Sequence, residues 1–246
     1  MNNKFTQTSD NSKYSGVQKL VDFEIGLKNY NSHTAKLIFN NFFLNEIKNQ
    51  KSKILDFGAG IGTIAEILRD KYLLNIECVE IDHGLIKVLK GKNFSTFASL
   101  ENLTHKYRLI YTSNVLEHIE NDLEVLVKLR SALDKKGKLL IYVPAHPVLF
   151  SKFDYQVGHF RRYKKKQLIK IVSKAGFTVE KCVYSDSLGF FAALIYKFKS
   201  KVTKKSDISQ SNLLIYDKYI YPISKILDAL GFKYIIGKNL LLTAKN

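Results

Sequence analysis

The sequence predicts an α/β protein built on a doubly wound, mostly parallel sheet, and three observations favour this fold class. Short apolar runs of strand length alternate along the chain with amphipathic segments of helical period. The first of these runs ends in a glycine-rich turn that leads directly into a helical pattern. The chain has 246 residues, 46% of them hydrophobic, which is enough to bury the core of one domain.

The first part of the chain predicts five strands. Their apolar runs are Lys53–Phe57, Asn75–Glu80, Phe94–Ala98, Arg108–Thr112 and Lys138–Val143. Apolar residues at helical spacing predict helices over 33–48, Ile64–Tyr72, Gly84–Lys90 and Asp122–Leu133, the last closed by Lys135-Lys136-Gly137. This alternation is typical of a parallel sheet with helical crossovers.

The second part begins with a long loop, Pro144–Tyr163, and continues with more helix than strand. We expect a helix over Lys164–Ala175, a strand over Phe177–Tyr184, two helical segments over Leu188–Lys201 and Leu213–Leu230, and a final strand over Asn239–Ala244. Residues 204–211 form the one linker-like stretch between the two helical segments.

The net charge is +17, from 39 basic and 22 acidic side chains. Only five of the basic residues are Arg, so the excess of Lys indicates composition bias and is weak evidence for a nucleic-acid or anionic-membrane partner. Cys78 and Cys182 lie far apart, which fits neither a disulfide framework nor a metal site, and we expect no metal. With no apolar leader pattern in the first residues and no apolar run near ~18 residues, a cytoplasmic protein is expected.

The strongest chemical signal is the turn Asp56-Phe57-Gly58-Ala59-Gly60-Ile61-Gly62 at the end of the first strand. Glycines allow a tight turn and a close approach to a ligand, and the following helix offers free N–H donors. The third glycine of a dinucleotide fingerprint would stand at Thr63, so the spacing points away from NAD. Glu80 closes the second strand, where an acid can accept both hydroxyls of an adenosine ribose.

These motifs resemble the class I S-adenosylmethionine-dependent methyltransferases. The resemblance rests on ILDFGAGIG, CVEID and the segment LIYTSNVLEHIENDLEVLVKLRSALDKKGKLLIYVP, and it narrows at residues 154–177 to a bacterial subgroup with a D-x-x-x-G-H-x-R-R-Y segment. It implies seven strands with the last one antiparallel, and acceptors among glycans, lipids or their precursors. It also implies one domain over 1–246: a polar lead (1–29), a cofactor-binding core (30–184), a helical insertion that covers the site (185–236) and a final strand (237–246).

The resemblance also implies which residues hold S-adenosylmethionine. Asp56, Gly58, Gly60 and Gly62 would surround the methionine part, and Glu80 would bind the ribose. Ala59 and Ile81 complete this part of the cofactor-binding set. Asn114 and Val115 would line the site below the sulfonium, and Tyr30 would close over the cofactor carboxylate.

A methyl group on a sulfonium needs mainly an aligned nucleophile, and a base only if that nucleophile carries a proton. His118, His159 and Asp154 are the candidate catalytic residues, all beyond strand ends. Arg161, Arg162, Tyr163 and His146 are the candidate acceptor-binding residues, because an Arg pair in a Lys-rich chain suggests bidentate binding of an anion. The alternatives are that His118 bonds to backbone at a helix entry, that His146 is a rigid loop element, and that an arginine pairs with Asp154 or Glu117 to hold the loop.

Residues 188–196 are apolar nearly all round and are followed by several lysines. This suits either a helix lying on anionic lipid or, the favoured interpretation, a helix buried over the mouth of the active site or in a dimer seam. We therefore expect methyl transfer to a small, sugar- or lipid-linked, anionic acceptor, with a peripheral membrane contact as an open alternative. An RNA methyltransferase and a non-catalytic cofactor-binding module are the rivals; the missing RNA-binding motif argues against the first. The oligomeric state is not predicted.

Overall fold

A seven-stranded sheet carries the fold, in a computed structural model that describes residue 21 and residues 24–43, 53–203 and 209–246. The strands are β1 (Ile54–Phe57), β2 (Ile76–Val79), β3 (Thr96–Phe97), β4 (Tyr107–Ser113), β5 (Leu133–Pro144), β6 (Thr178–Ser185) and β7 (Asn239–Lys245). Their order is β3-β2-β1-β4-β5-β7-β6, and β7 runs antiparallel to both of its neighbours while the other pairs are parallel. This confirms the predicted fold class.

Helices cover both faces of this sheet. They are α1 (Lys28–Phe43), α2 (Thr63–Tyr72), α3 (His83–Gly91), α4 (Asp122–Ala132), α5 (Lys152–Gln156), α6 (Lys165–Lys174), α7 (Ser187–Thr203), α8 (Gln210–Ile215) and α9 (Tyr221–Ala229). A strand covered on both faces must be apolar at successive positions, and adjacent residues of the central strands accordingly enter different cores. Leu55 and Ile110 pack with α4 and α6, whereas Ile54 and Leu109 pack in the other layer, against α1 and α2.

The predicted end of α4 is wrong. Leu133 and the Lys135-Lys136-Gly137 segment belong to β5 rather than to a helix end. Leu133 is buried and pairs with Tyr107, while the next pair is Leu109 with Lys138, so the extra residues of this register shift lie in β5. Extending the strand to Leu133 therefore buries an apolar side chain against β4.

Two further segments differ from the prediction. The loop after β5 contains a 3₁₀ turn (Pro147–Leu149) and α5. The second C-terminal helical segment begins at Gln210 and contains a π turn (Tyr216–Ile220) just before Pro222, a residue that cannot supply a helical N–H. Of the predicted helix 33–48, residues 44–48 lie outside the described residues, as do most of the predicted lead and residues 204–208 of the predicted linker.

The first turn of α1 is held by an acid from the other end of the chain. Asp217, in the π turn, accepts hydrogen bonds from the backbone N–H groups of Asn29 and Tyr30, both at 2.8 Å. These donors have no partner within their own helix, and a carboxylate at a helix start also interacts favourably with the helix dipole. The C-terminal insertion therefore fixes the position of Tyr30.

We expect Asp217→Ala to lower the free energy of unfolding by ~1–2 kcal/mol, the usual cost of losing a capping acceptor. Urea unfolding measures it. Asp70→Ala, which removes an exposed acid of α2, is the control and should change stability little. Equal effects of the two substitutions would contradict the capping role.

Candidate cofactor and acceptor site

The turn after β1 requires glycine at two of its positions. Gly58 has φ 77°, and a Cβ there would lie 2.4 Å from Cγ2 of Val115. Gly62 has φ 82°, and its Cβ would lie 2.7 Å from Cδ2 of Leu89. Both positions combine a left-handed backbone with a contact closer than a side chain allows. The turn is therefore packed against the segment that follows β4.

Glu80 is placed at this turn by three backbone donors. Its carboxylate accepts hydrogen bonds from Gly60 N (2.8 Å), Ile81 N (2.8 Å) and Asp82 N (3.1 Å). The predicted ribose acceptor thus lies directly beside the glycine turn, joined to it by a charge-assisted hydrogen bond. Ile81 is 80% exposed next to it and offers an apolar surface to a flat ring.

Asp56 lies below the turn and is almost fully buried. Burial raises the pKa of this carboxyl to about 7, which the hydrogen bond from the Tyr111 hydroxyl (2.8 Å) opposes and the charge of Glu80 reinforces. Asp56 therefore supports the turn from inside the sheet.

Asn114, Val115 and Tyr30 complete the predicted cofactor set. Asn114 has φ 55° and donates its backbone N–H to Tyr142 O, which sends the chain sharply away from the end of β4. The Tyr30 hydroxyl accepts a hydrogen bond from the Asn239 amide at 3.0 Å. The glycines that no side chain can replace, the acid at the end of β2 and the turn after β4 thus suit a nucleoside ligand such as S-adenosylmethionine.

His118 and His159 lie together beyond the end of β4. Their ring centroids are 4.6 Å apart in an edge-on arrangement. Loss of water around its ring and, to a smaller extent, the neighbouring His159 lower the pKa of His118 to about 4, so His118 is neutral near pH 7. A bond to the Gly158 backbone, which opposes this shift, is the backbone contact expected for a helix-entry residue.

Glu117 is fully buried beside the two histidines. Neither carboxylate oxygen has a hydrogen-bond partner in the described part of the chain, and His159 Nε2 lies 3.9 Å from Oε1 of Glu117. Burial raises the pKa of Glu117 to about 8, although its own backbone and Arg162 act against this. One oxygen of Glu117 and one nitrogen of each histidine lie within 4.8 Å of one another.

Asp154 ties the loop between β5 and α6 together. Its carboxylate accepts hydrogen bonds from Ser151 N, His159 Nδ1 and Arg162 Nε, each at 2.8 Å. Burial alone would raise the pKa of Asp154, but these bonds and the Arg162 charge outweigh it and hold the pKa below its ordinary value. The loop also binds the turn after β4, because Phe160 N donates to Glu117 O at 2.7 Å.

The four predicted acceptor-binding residues line this region with internal partners. Arg161 pairs with Asp122 (2.8 Å) and donates to the Glu120 backbone, and the Tyr163 hydroxyl also bonds to Asp122. Arg162 pairs with Asp154, as the loop-holding alternative expects, and its Nη1 has no partner among the described residues. His146, at φ 61°, stacks on Tyr184 with centroids 4.9 Å apart, and burial lowers its pKa.

Lys238, a cation at the start of β7, is not among the site residues predicted from the sequence. Lys238 Nζ lies 3.1 Å from the fully buried Asp186, over the rings of Tyr30 (4.9 Å to the centroid) and Tyr216 (4.7 Å). Because Asn239 pairs with Pro144 at the end of β5, Lys238 stands at the same sheet edge as the glycine turn. The tyrosines come from α1 and the π turn, and no sequence spacing links them to Lys238.

The burial of Glu117 predicts a pH-dependent stability. Its pKa is about 8 in the folded chain and ~4.3 when unfolded, so its contribution is complete below that lower value and is lost as the pH rises toward 8. Relative to Glu117→Gln, the wild type should therefore lose stability between pH 5 and 8.5 in urea unfolding. The exposed Glu101→Gln serves as the control; a difference between wild type and Glu117→Gln that does not change with pH would contradict the assignment.

Comparisons with known proteins agree with this geometry. A family model described as a methyltransferase domain matches residues 30–181. A search of the curated proteins gives no match. Similar solved structures include the complex of the Haloferax volcanii Trm112 methyltransferase activator with its putative methyltransferase, at TM-score 0.63 and 12% identity, with 97% of this chain and 99% of that chain covered.

Two other similar structures carry a cofactor or its product. Phosphoethanolamine N-methyltransferase 2 from Haemonchus contortus, in complex with S-adenosyl-L-methionine, matches at TM-score 0.54 and 18% identity over 87% of this chain and 52% of that one. A mycolic acid cyclopropane synthase complexed with SAH and CTAB matches at TM-score 0.53 and 16% identity, over 87% and 82%. Together with the family match they support S-adenosylmethionine as the cofactor. The chain belongs to the methyltransferase-domain family, which matches it over most of its length and across the whole of the glycine turn, Glu80 and the His118–His159 pair.

Proposed function

We propose that this methyltransferase transfers a methyl group from S-adenosylmethionine to a small, sugar- or lipid-linked, anionic acceptor, and that it works in the cytoplasm at the inner membrane surface. One observation carries the proposal. Val115 packs against Gly58 of the cofactor turn, and three residues later His118 meets His159 of the loop after β5. A short turn therefore connects the cofactor side of the site to a pair of imidazoles that can face an acceptor.

The bound cofactor supplies an activated methyl group on a sulfonium, and the chain aligns and deprotonates the acceptor. When His159 Nδ1–H donates a hydrogen bond to the Asp154 carboxylate, Nε2 carries no proton and can accept one from a hydroxyl or ammonium group. His118 is neutral and weakly basic, so it suits a hydrogen-bonding role beside the base. Asp154 is a positioning residue, because it reaches the acceptor only through His159.

The preference for an anionic acceptor rests on the cations at this edge. Lys238 lies beside the end of β5 and the start of β7. Arg161 and Arg162 hold the loop after β5 through their ion pairs with Asp122 and Asp154. We propose that Arg161, Arg162, Tyr163 and His146 form the acceptor-side wall, and that Lys238 supplies the cation nearest to the cofactor edge. The similar proteins include enzymes named for a phosphorylated amine and for mycolic acid, which supports a phosphate- or lipid-bearing acceptor.

Glu80→Ala should weaken the binding of S-adenosylhomocysteine by ~2 kcal/mol, about thirtyfold, since a charge-assisted hydrogen bond contributes roughly that amount. Calorimetric titration of wild type and variant measures it, with the exposed Glu124→Ala of α4 as the control. Unchanged affinity, or tighter binding of NAD than of S-adenosylhomocysteine, would sink the cofactor assignment.

His159→Ala should reduce methyl transfer by ~10²–10⁴-fold, the usual contribution of a general base, and leave S-adenosylhomocysteine affinity unchanged. Asp154→Asn should instead shift the pH profile of methyl transfer, because it removes the carboxylate that is hydrogen-bonded to His159 Nδ1. His105→Ala, before β4 and remote from this edge, is the matched control.

The assay incubates the protein with methyl-labelled S-adenosylmethionine and separated lipid, small-metabolite and RNA fractions. Label in the lipid or small-metabolite fraction is the expected result. Label in RNA would favour the RNA methyltransferase, and cofactor binding without any transfer would favour a non-catalytic module; either result would overturn the proposal.

A further inference from the structure

The exposed apolar side chains of the molecule are concentrated in the C-terminal insertion. Twelve of the twenty large apolar residues that are exposed in the described part of the chain fall between residues 191 and 235. We call these twelve side chains the insertion face: Phe191, Ile195, Phe198, Leu214, Ile215, Tyr219, Ile223, Ile226, Leu230, Phe232, Tyr234 and Ile235. A clustering of this kind marks an interaction surface.

The spacing of these residues forms stripes along the helices. On α7, Phe191, Ile195 and Phe198 recur at intervals of four and three, so they lie on one side of the helix. From the π turn through α9, Tyr219, Ile223, Ile226 and Leu230 repeat the same intervals. On this side of α7, Ile195 is 67% exposed, so the predicted burial within the chain is wrong there, whereas burial in a dimer seam stays a prediction.

The opposite side of α9 carries buried polar groups. Ser224 and Asp228 of α9 bind the backbone at the start of α7, where Leu188 N donates to Ser224 Oγ at 3.0 Å and Asp186 N and Ser187 N donate to the Asp228 carboxylate. Helices that pack on a core in water keep their large apolar residues inside. The insertion buries Tyr221 and Leu213 together with hydrogen-bonded polar groups, but the large apolar side chains of the insertion face point outward.

The charges on the insertion have one sign at the surface. Its described acids, Asp186, Asp217 and Asp228, are buried, and each accepts hydrogen bonds from backbone N–H groups. The lysines whose side chains are described are exposed or half-buried: Lys197, Lys199, Lys218, Lys225 and Lys233. Two of them lie over neighbouring tyrosines of the insertion face, Lys218 at 5.2 Å and Lys233 at 5.4 Å.

We propose that the insertion face docks on the surface of an anionic lipid bilayer. Apolar side chains that enter the boundary between headgroups and acyl chains, accompanied by cations and, among the described residues of the insertion, by no exposed acid, match what such a surface offers. A second copy of the same face would bring lysines against lysines, which disfavours self-association. None of the helices described is both long and apolar enough to cross a membrane, so the contact is peripheral.

The docking face is connected to the proposed site. α7 follows β6, and the same insertion supplies Asp186, which pairs with Lys238, and Asp217, which holds the start of α1 at Tyr30. Docking would therefore bring the acceptor edge of the sheet toward the bilayer, where a lipid-linked acceptor resides. This last step rests on the proposed function, whereas docking itself does not.

The test is co-sedimentation of the purified chain with vesicles of phosphatidylcholine alone or of phosphatidylcholine mixed with phosphatidylglycerol. Wild type should bind the mixed vesicles and lose binding as salt is raised. The double variant Ile195→Ser/Ile223→Ser should bind at least ~tenfold more weakly, because two apolar contacts are lost. Lys199→Glu/Lys218→Glu should lose the preference for phosphatidylglycerol.

The matched control is Leu73→Ser/Val127→Ser, which removes two exposed apolar side chains outside the insertion face and should bind as wild type does. Unfolding midpoints and S-adenosylhomocysteine titration show whether each variant keeps its fold and cofactor site, so a failed docking proposal is distinguishable from a failed methyltransferase proposal. Equal binding to both vesicle types, no binding to either, or a dimer that the serine variants dissociate would overturn the proposal.

Discussion

Buried carboxylates hold the loops at the carboxyl edge of the sheet, and the geometry of the site depends on them. Glu80 joins the end of β2 to the glycine turn, Asp154 joins three parts of the loop after β5, and Asp217 joins the insertion to α1. An acid removed from water must receive hydrogen bonds, and here most donors are backbone N–H groups or cations from other segments. The need to satisfy these acids therefore fixes the loops relative to one another.

Glu117 is the exception within this set, and its position explains why. Its carboxylate has no hydrogen-bond partner in the described residues and lies between His159 and the charge of Arg162. A buried acid of this kind favours its neutral form, and strongly shifted acids cluster at functional sites. The region beyond β4, where this unsatisfied acid lies beside two histidines, is therefore a candidate functional part of the sheet edge.

The repeating parts of the fold could be predicted from the sequence, because strand and helix periods and the glycine turn are local patterns. The extension of β5 through Lys135 and Lys136 could not, since it depends on the pairing of Leu133 with Tyr107. The Asp186–Lys238 pair was missed for a similar reason, because it joins residues that lie 52 positions apart. The outward-facing apolar stripe of α7 was misread because hydrophobicity alone does not tell a buried helix from one that meets a partner.

The structure of the chain with S-adenosylhomocysteine bound tests the central claim most directly. The account predicts that the ribose hydroxyls lie within hydrogen-bond distance, ~3 Å, of the Glu80 carboxylate, with the sulfur facing the side of the site that His118 and His159 border. A ligand bound at another edge of the sheet, or one that contacts the glycine turn while its ribose stays away from Glu80, would contradict the account.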